Sequence, residues 1–198
     1  PSGLISSGID CWLKRVDYPI IDKWYANAQK GLSYHEDHGE GLDNYHVGTT
    51  RGCGGIAVWC NNESYTSENF SEWEIIANGP LRSIFELKYN AFDVCGNTVS
   101  ETKRISIDLG ENFYKSEVEY ASPIQLTKAS IGIALHQGKG QSNSNLDEGW
   151  ISYWEPLDDS FLGTAVLINP EVVDGNKLDT SIQENESLNN IYIYSKLV

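Results

Sequence analysis

The sequence predicts an all-β protein, an antiparallel β-sandwich with long loops and little helix. Apolar and polar residues alternate with a period of two in several runs, which places apolar side chains on one face of a strand. Turn-forming Gly, Asn, Asp or Pro separates most of these runs from one another. Only one short segment favours a helix, so strands account for the predicted core.

The first elements along the chain are a strand-like run at Trp12–Tyr18 and a short helix at Pro19–Lys30, which would start at its proline. The clearest alternation lies in Ile84–Ala91 and Arg104–Leu109. Between them stands Cys95-Gly96-Asn97, a sequence typical of a turn. These two runs are therefore predicted to form a long hairpin.

Two polar stretches, Asn143–Glu148 and Asp174–Leu188, are interpreted as loops. The length of 198 residues fits one large β domain, so residues 1–198 are predicted to form a single domain. Because the chain lacks an initial Met and ends on a strand-like run, we expect it to be incomplete. The remaining strand-like runs are Ile56–Cys60, Trp73–Ala77, Tyr114–Tyr120, Ala129–His136, Trp150–Trp154, Leu162–Ile168 and Ile191–Leu197.

The formal net charge of −14 excludes a typical nucleic-acid-binding protein, which needs a basic stripe to displace counterions from phosphates. No apolar run approaches the roughly 20 residues of a membrane span, so none is predicted. Basic residues slightly outnumber acids up to Tyr34, whereas acids dominate after Asn143. A small anionic ligand is therefore expected to meet the first part of the chain.

The four cysteines include no C-x-x-C pair, which argues against a zinc ribbon or a thioredoxin-type motif. Cys60 and Cys95 are interpreted most simply as buried thiols. A disulfide remains open, because the sequence does not give its connectivity.

The segment Tyr34–Gly55, YHEDHGEGLDNYHVGTTRGCGG, is predicted to be the functional centre. It has neither strand nor helix periodicity, and its six glycines indicate a tightly folded loop. Long ordered polar loops on a rigid scaffold are common places for binding and catalysis. Its side chains with suitable chemistry are Tyr34, His35, Glu36, Asp37, His38, Glu40, Asp43, Tyr45, His46 and Arg51.

Proton transfer is the first chemistry that fits this loop. His35 or His46 would act as general base, since histidine titrates near neutral pH. Tyr45 would supply the acid, or His136, which follows an apolar run and precedes a Gly-rich turn. Arg51 would hold a carboxylate in a bidentate fork.

Metal binding is the second chemistry that fits. His35, Asp37 and Glu40 offer nitrogen and oxygen ligands at short spacing, which would suit a divalent ion. A third interpretation is structural, with the histidines and acids of the loop pairing with one another and capping turns.

Substrate binding is predicted for basic and aromatic residues near these segments. Lys14 and Arg15 are neighbours on a strand-like run and point to opposite faces, so at most one of them should face a ligand. Lys139 lies in the Gly-rich turn after the apolar run that ends at His136. The aromatic residues interpreted either as core or as a platform for sugar rings are Trp24, Tyr25 and Trp59.

Four runs carry a resemblance to a known family: SGIDCWLKRVDYPIIDKWY (Ser7–Tyr25), the loop YHEDHGEGLDNYHVGTTRGCGG, NFSEWEIIANGPLRSIFELKY (Asn69–Tyr89) and ETKRISIDLG (Glu101–Gly110). Through them the chain resembles the bacterial family called domain of unknown function 4861. The resemblance implies a polysaccharide-utilisation protein exported to the periplasm or secreted. It also implies a supersandwich like that of galactose mutarotases and several polysaccharide lyases.

This resemblance leads us to expect an enzyme that acts on uronic-acid oligosaccharides by β-elimination, as a lyase or a dehydratase. The expected partner is an anionic oligosaccharide or polysaccharide. The alternatives are a sugar epimerase or mutarotase with the same acid–base pair, a non-catalytic carbohydrate-binding module, and a metal-dependent hydrolase.

Overall fold

Strands make up 55% of the computed structural model and helices 6%, so the predicted all-β sandwich is confirmed. The structure describes residues 5–44, 47–136, 138–181 and 189–197. Its strands are β1 (Trp12–Lys14), β2 (Gly41–Asp43), β3 (Cys53–Cys60), β4 (Glu63–Tyr65), β5 (Phe70–Asn78), β6 (Arg82–Tyr89), β7 (Phe92–Val94), β8 (Asn97–Asp108), β9 (Tyr114–Ala121), β10 (Lys128–Ala134), β11 (Gln141–Asn145), β12 (Trp150–Leu157), β13 (Ser160–Leu167), β14 (Val173–Asp179) and β15 (Asn190–Lys196).

The described strands form antiparallel sheets of different sizes. One five-stranded sheet has the order β14-β15-β10-β3-β4, and a three-stranded sheet has the order β11-β12-β13. A second large sheet has the order β5-β6-β8-β7, and β9 pairs with β8 along the edge opposite β6. Strands β1 and β2 form a separate two-stranded ribbon.

The main core lies where the three-stranded sheet packs on the first five-stranded sheet. Their apolar inner faces supply Ile133, Ile151, Tyr153, Ile191 and Ile193, each at most 3% exposed. A second cluster joins the two large sheets through Val58, Val94 and Val99. Burying such side chains stabilises the fold by roughly 1.5–3 kcal/mol each.

The predicted helix is confirmed as α1 (Ile21–Ala28), and a short 3-10 helix covers Pro170–Val172. The predicted pairing of Ile84–Ala91 with Arg104–Leu109 is also confirmed, because β6 pairs with β8. A small additional hairpin, β7 with the start of β8, occupies the connection between them.

Two predicted loops contain strands, so that part of the prediction is wrong. Strand β11 lies across the boundary of Asn143–Glu148, and β14 covers the start of Asp174–Leu188. Both strands lie at the edge of their sheets, where exposed faces carry polar residues and the apolar alternation disappears. Positions 182–188 of the second stretch lie outside the described residues.

The interpretation of Cys60 and Cys95 as buried thiols is wrong, and the disulfide that the sequence left open joins these two residues across 35 residues of sequence. Cys11 and Cys53 are free cysteines. No helix among the described residues has the length and apolar character that crossing a bilayer requires.

Candidate functional site

The ribbon of β1 and β2 organises the candidate site. Trp12 lies directly opposite Asp43, and Lys14 lies opposite Gly41. Opposite residues share a face of an antiparallel pair, and residues two apart on a strand share that face too. Trp12 and Lys14 therefore lie on one side of the ribbon, with Asp43 across from Trp12. Asp10 precedes β1, and its carboxyl group interacts with Trp12 and Asp43.

Close approach of the two strands requires a glycine at position 41. Gly41 has φ +107°, and a Cβ at this position would lie 2.0 Å from the carbonyl oxygen of Leu13. A glycine is tolerated in this conformation because it has no side chain. The Gly-rich composition of the predicted loop thus lets it form β2 beside β1.

An aromatic cluster surrounds Trp12. Its ring centroid lies 5.3 Å from that of Trp24, 5.3 Å from that of Tyr25 and 4.8 Å from that of Tyr34. Trp24, on α1, is 5% exposed and packs against the buried side of the cluster. Tyr25 is 51% exposed, so part of the cluster faces solvent. Half-exposed rings held in place by their neighbours suit contact with the apolar face of a sugar.

His35 is held beside this cluster by Asp43. Its Nδ1 lies 3.2 Å from the backbone oxygen of Asp43 and 3.5 Å from Oδ2 of the same residue. A carbonyl oxygen only accepts, so Nδ1 carries the proton and Nε2 is the basic nitrogen of the neutral ring. The Asp43 side chain is 7% exposed while that of His35 is 41% exposed. The buried carboxylate therefore orients an imidazole that remains open to solvent.

Asp10 is the second titratable group on this face. Partial desolvation of its carboxyl group and the nearby charge of Asp43 raise its pKa, although hydrogen bonds from Trp12 and Cys11 oppose that change. A carboxyl group with a raised pKa retains its proton more readily and suits a general acid. A histidine and a carboxyl group with a raised pKa thus occur near each other, an arrangement that favours acid–base chemistry.

A small, shallow cleft lies behind Tyr34, between α1 and the segment 32–41. Its lining includes Trp24, Asn27, Glu36 and His38. The Nε2 atom of His38 lies 2.9 Å from the backbone oxygen of Ser33. The cleft shares two rings with the aromatic cluster, and its enclosed space is about that of one water molecule.

The acids Asp37 and Glu40 hold this loop in shape. Desolvation would raise the pKa of Asp37, but the amide groups of Gly41 and Gly39 and the charge of Arg15 together lower it. Glu40 accepts from Nζ of Lys23 at 2.6 Å and from the Tyr18 hydroxyl, and these contacts lower its pKa.

The predicted metal site of His35, Asp37 and Glu40 does not assemble in the described residues. Each member has its own protein partner, and no group of three or more His, Cys, Asp or Glu able to hold a metal ion occurs in the ranges given above.

The predicted catalytic residues that the structure describes, His35, Arg51 and His136, have different neighbours from one another. His35 lies in the site just described, while Tyr45 and His46 fall outside the described residues. His136 is near the three-stranded sheet, where its Nδ1 contacts Oε1 of buried Glu155.

Arg51 is buried, with 7% exposure, and its guanidinium donates to protein oxygens. The acceptors are Ser7 Oγ at 3.2 Å and the backbone oxygens of Ile56 at 3.4 Å and Thr49 at 3.3 Å. Desolvation lowers its pKa. This environment does not suit a clamp for a substrate carboxylate, so Arg51 is not included in the candidate site.

The predicted substrate-binding residues divide between two regions. Lys14 is exposed on the side of the ribbon that carries Trp12, and its Nζ donates to the backbone oxygen of Tyr18 at 3.1 Å. Arg15 instead contacts Asp37 at 2.9 Å and Asp159 at 3.5 Å. Of these two neighbouring cations, Lys14 is the one on the face of the candidate site.

Trp24 and Tyr25 belong to the aromatic cluster, whereas Trp59 and Lys139 lie elsewhere. Trp59 donates to Ser130 Oγ at 2.8 Å and contacts the Tyr194 ring edge-on. Trp59 lies near the end of β3, six residues and about 20 Å from Cys53 at the start of that strand. Lys139 is exposed in the connection between β10 and β11.

Sequence reasoning missed Asp10 and Trp12 as site residues, and it included Asp43 only as one acid among several. Their alternation in Asp10-Cys11-Trp12-Leu13-Lys14 was visible, but the pairing of β1 with β2 was not. The register of that pairing is what brings Asp43 opposite Trp12.

Comparison with known proteins gives a match to the family model "Domain of unknown function (DUF4861)" over residues 5–196. "Uncharacterized protein P7" of Formosa agariphila is 46% identical over 191 residues, which cover 95% of this chain and 48% of that protein. The chain thus spans about half the length of this relative. No solved structure matches the chain.

Proposed function

This chain belongs to the family described as domain of unknown function 4861, and we propose that it is a carbohydrate-active enzyme that acts on uronate-containing oligosaccharides by β-elimination. The observation that supports the proposal is the face of the β1–β2 ribbon. It combines half-exposed aromatic rings, an oriented histidine, a carboxyl group with a raised pKa and an exposed lysine. Each corresponds to one requirement of the reaction.

The aromatic cluster supplies the binding surface. A sugar ring placed against Trp12, Tyr25 or Tyr34 would bury apolar C–H groups against an aromatic face while its hydroxyls stay hydrated. Trp24 fixes the position of Trp12, so little side-chain entropy is lost when a ligand binds.

Elimination from a uronate needs three groups. A cation must stabilise the negative charge that develops on the carboxylate, a base must take the proton from C5, and an acid must protonate the oxygen leaving C4. Lys14 is the cation in this proposal, His35 Nε2 the base and Asp10 the acid. The earlier predictions of Tyr45 and His46 for proton transfer stay predictions, because both lie outside the described residues.

The reaction balances without any further reactant. The electron pair of the C5–H bond forms the C4–C5 double bond, the C4–O bond breaks, and the Asp10 proton goes to the leaving oxygen. The proton taken by His35 then returns to Asp10 through solvent. If the leaving oxygen belongs to another sugar the enzyme is a lyase, and if it leaves as water the enzyme is a dehydratase.

The test follows ultraviolet absorbance of the unsaturated product during incubation with alginate, ulvan, pectin and glucuronan fragments. His35→Gln and Asp10→Asn should each lower kcat by roughly 10²–10⁴-fold, the usual contribution of a positioned acid or base. Lys14→Gln should lower the rate of elimination mainly on uronate substrates. Glu117→Gln is the matched control, since Glu117 is an exposed carboxylate on β9, away from the ribbon, that forms a salt bridge with Lys115.

No absorbance gain on any of these substrates would overturn the elimination mechanism. Exchange of a sugar-bound proton with solvent deuterium, without a gain in absorbance, would instead support an epimerase or mutarotase that uses the same pair. Binding that survives both His35→Gln and Asp10→Asn, with no chemistry, would support a carbohydrate-binding module.

The proposed compartment is oxidising, either the periplasm or the exterior of the cell. The Cys60–Cys95 disulfide supports it, because such bonds are rare where thiols are kept reduced. The test is alkylation of the protein in its native cells before reduction, followed by mass spectrometry. Alkylation of both Cys60 and Cys95 would contradict the assignment.

A further inference from the structure

The outer face of the three-stranded sheet carries a second group of exposed aromatic residues, far along the chain from the candidate site. Trp154 on β12 is 53% exposed and Phe161 on β13 is 60% exposed. Their ring centroids lie 5.9 Å apart, and the ring planes differ by 16°. The two rings are therefore stacked on each other, and together they expose apolar surface to solvent.

A glycine on the adjacent strand fixes this surface. Gly163 is paired with Trp154, and a Cβ at position 163 would lie 2.5 Å from one carbon of the indole ring. The indole thus lies directly over the backbone of the neighbouring strand. A large exposed ring supported in this way is preorganised for contact with a flat ligand.

Hydrogen-bonding groups accompany the rings on the same face. The pairing of β11 with β12 aligns Gln141 with Trp154, Asn143 with Ser152 and Asn145 with Trp150. Since opposite residues share a face, three side-chain amides stand beside the aromatic surface. The opposite face is occupied by the core residues Ile151 and Tyr153.

Charge distinguishes this face from the candidate site. Its paired residues from Trp150 to Trp154 and their partners on β11 and β13 include no charged side chain, although the chain as a whole has a net charge of −14. An anionic ligand would find no cation among these paired residues to offset that charge. A neutral ligand with both flat C–H surfaces and many hydroxyls matches the combination of rings and amides.

From this face we propose a second, non-catalytic site that binds a neutral polysaccharide chain on Trp154, Phe161 and the amides of Gln141 and Asn143. The site is independent of the elimination chemistry proposed above. The hairpin of β12 and β13 also contacts the segment that follows β1, since Asp159 at the hairpin tip lies 3.5 Å from Arg15. A chain bound to this face would thereby be kept near the ribbon of β1 and β2.

The experiment is affinity gel electrophoresis of the 198-residue chain in gels containing soluble xyloglucan, galactomannan, β-glucan or rhamnan, with polygalacturonate and alginate as acidic probes. At least one neutral polysaccharide should retard the protein. Trp154→Ala should weaken that binding by roughly tenfold or more, as expected when an aromatic ring that the bound ligand would cover is lost. Gly163→Val should act similarly, because it displaces the ring without removing it.

Trp73→Ala is the matched control, since Trp73 is 64% exposed on β5 of another sheet. It should leave the retardation unchanged, as should His35→Gln and Asp10→Asn. The inference is overturned if no neutral polysaccharide retards the protein, or if retardation survives Trp154→Ala. It is also overturned if light scattering shows that Trp154→Ala converts a dimer to a monomer, because the face would then be a contact between copies.

Discussion

Lys103 and Glu101 provide the sharpest test of how the described structure is held together. Both lie on β8 and are almost fully buried, with exposures of 1% and 3%. Nζ of Lys103 lies 3.4 Å from Oε1 of Glu101, 3.3 Å from the backbone oxygen of Ser7 and 4.4 Å from the centre of the Tyr89 ring.

The perturbation is Lys103→Met, which keeps the length of the side chain and removes its charge. Glu101 would then be a buried carboxylate without its cation, a situation that costs about 3–5 kcal/mol. For a domain of this size the midpoint of thermal unfolding should fall by roughly 6–20 °C. The double variant Lys103→Met/Glu101→Gln should lose less than the single variant, because it leaves no unpaired charge.

The assay is urea unfolding followed by Trp fluorescence, with both single variants and the double variant measured as a cycle. Arg104→Met is the matched control, since Arg104 is adjacent on β8 but its side chain is 53% exposed and pairs with Glu86. The control should change the free energy of unfolding by about 1 kcal/mol or less. A loss below about 1 kcal/mol for Lys103→Met, or a double variant that loses the sum of the two singles, would refute the reasoning.

Three further stability predictions concern the loops and the disulfide. Replacing Cys60 and Cys95 by Ser should cost about 3–4 kcal/mol in urea unfolding, because the bond closes a loop of 35 residues; an unchanged midpoint would exclude the disulfide. Gly41→Ala should cost roughly 2 kcal/mol or more through backbone strain and the clash with Leu13, measured by calorimetry, and a loss within 0.5 kcal/mol would mean that β1 and β2 do not pair this closely. Asp37→Asn should lower stability at neutral pH but not below the folded pKa of Asp37, since that lowered pKa stabilises the fold only while the carboxylate is ionised; equal losses at both pH values would contradict this.

The strands with clear alternation were predictable because one of their faces is buried. Ile133, Ile191 and Ile193 alternate with smaller or polar neighbours, and they form the core with the three-stranded sheet. Edge strands were not predictable in this way. In β11 the residues are Gln, Ser and Asn, and backbone hydrogen bonds to β12 rather than apolar burial define the strand.

The candidate site was predictable in its location but not in its membership. The Gly-rich loop and His35 were recognised from residue chemistry, and so were the aromatic residues of α1. Arg51 has the right chemistry for a carboxylate clamp, but burial against Ser7 and backbone oxygens removes it from the site. Burial depends on what the rest of the chain places around a residue, which a local pattern does not contain.

The sequence by itself determined the all-β class, the helix at α1, the pairing of β6 with β8 and the functional interest of the loop around His35. These follow from side-chain periodicity and turn chemistry, which are properties of neighbouring residues. Only the tertiary structure decided that Asp10 and Trp12 join His35 and Asp43 on one face of a ribbon. The physical reason is that this face depends on the register between two strands about 30 residues apart in sequence. That register brings position 41 so close to the backbone of Leu13 that the position requires a glycine.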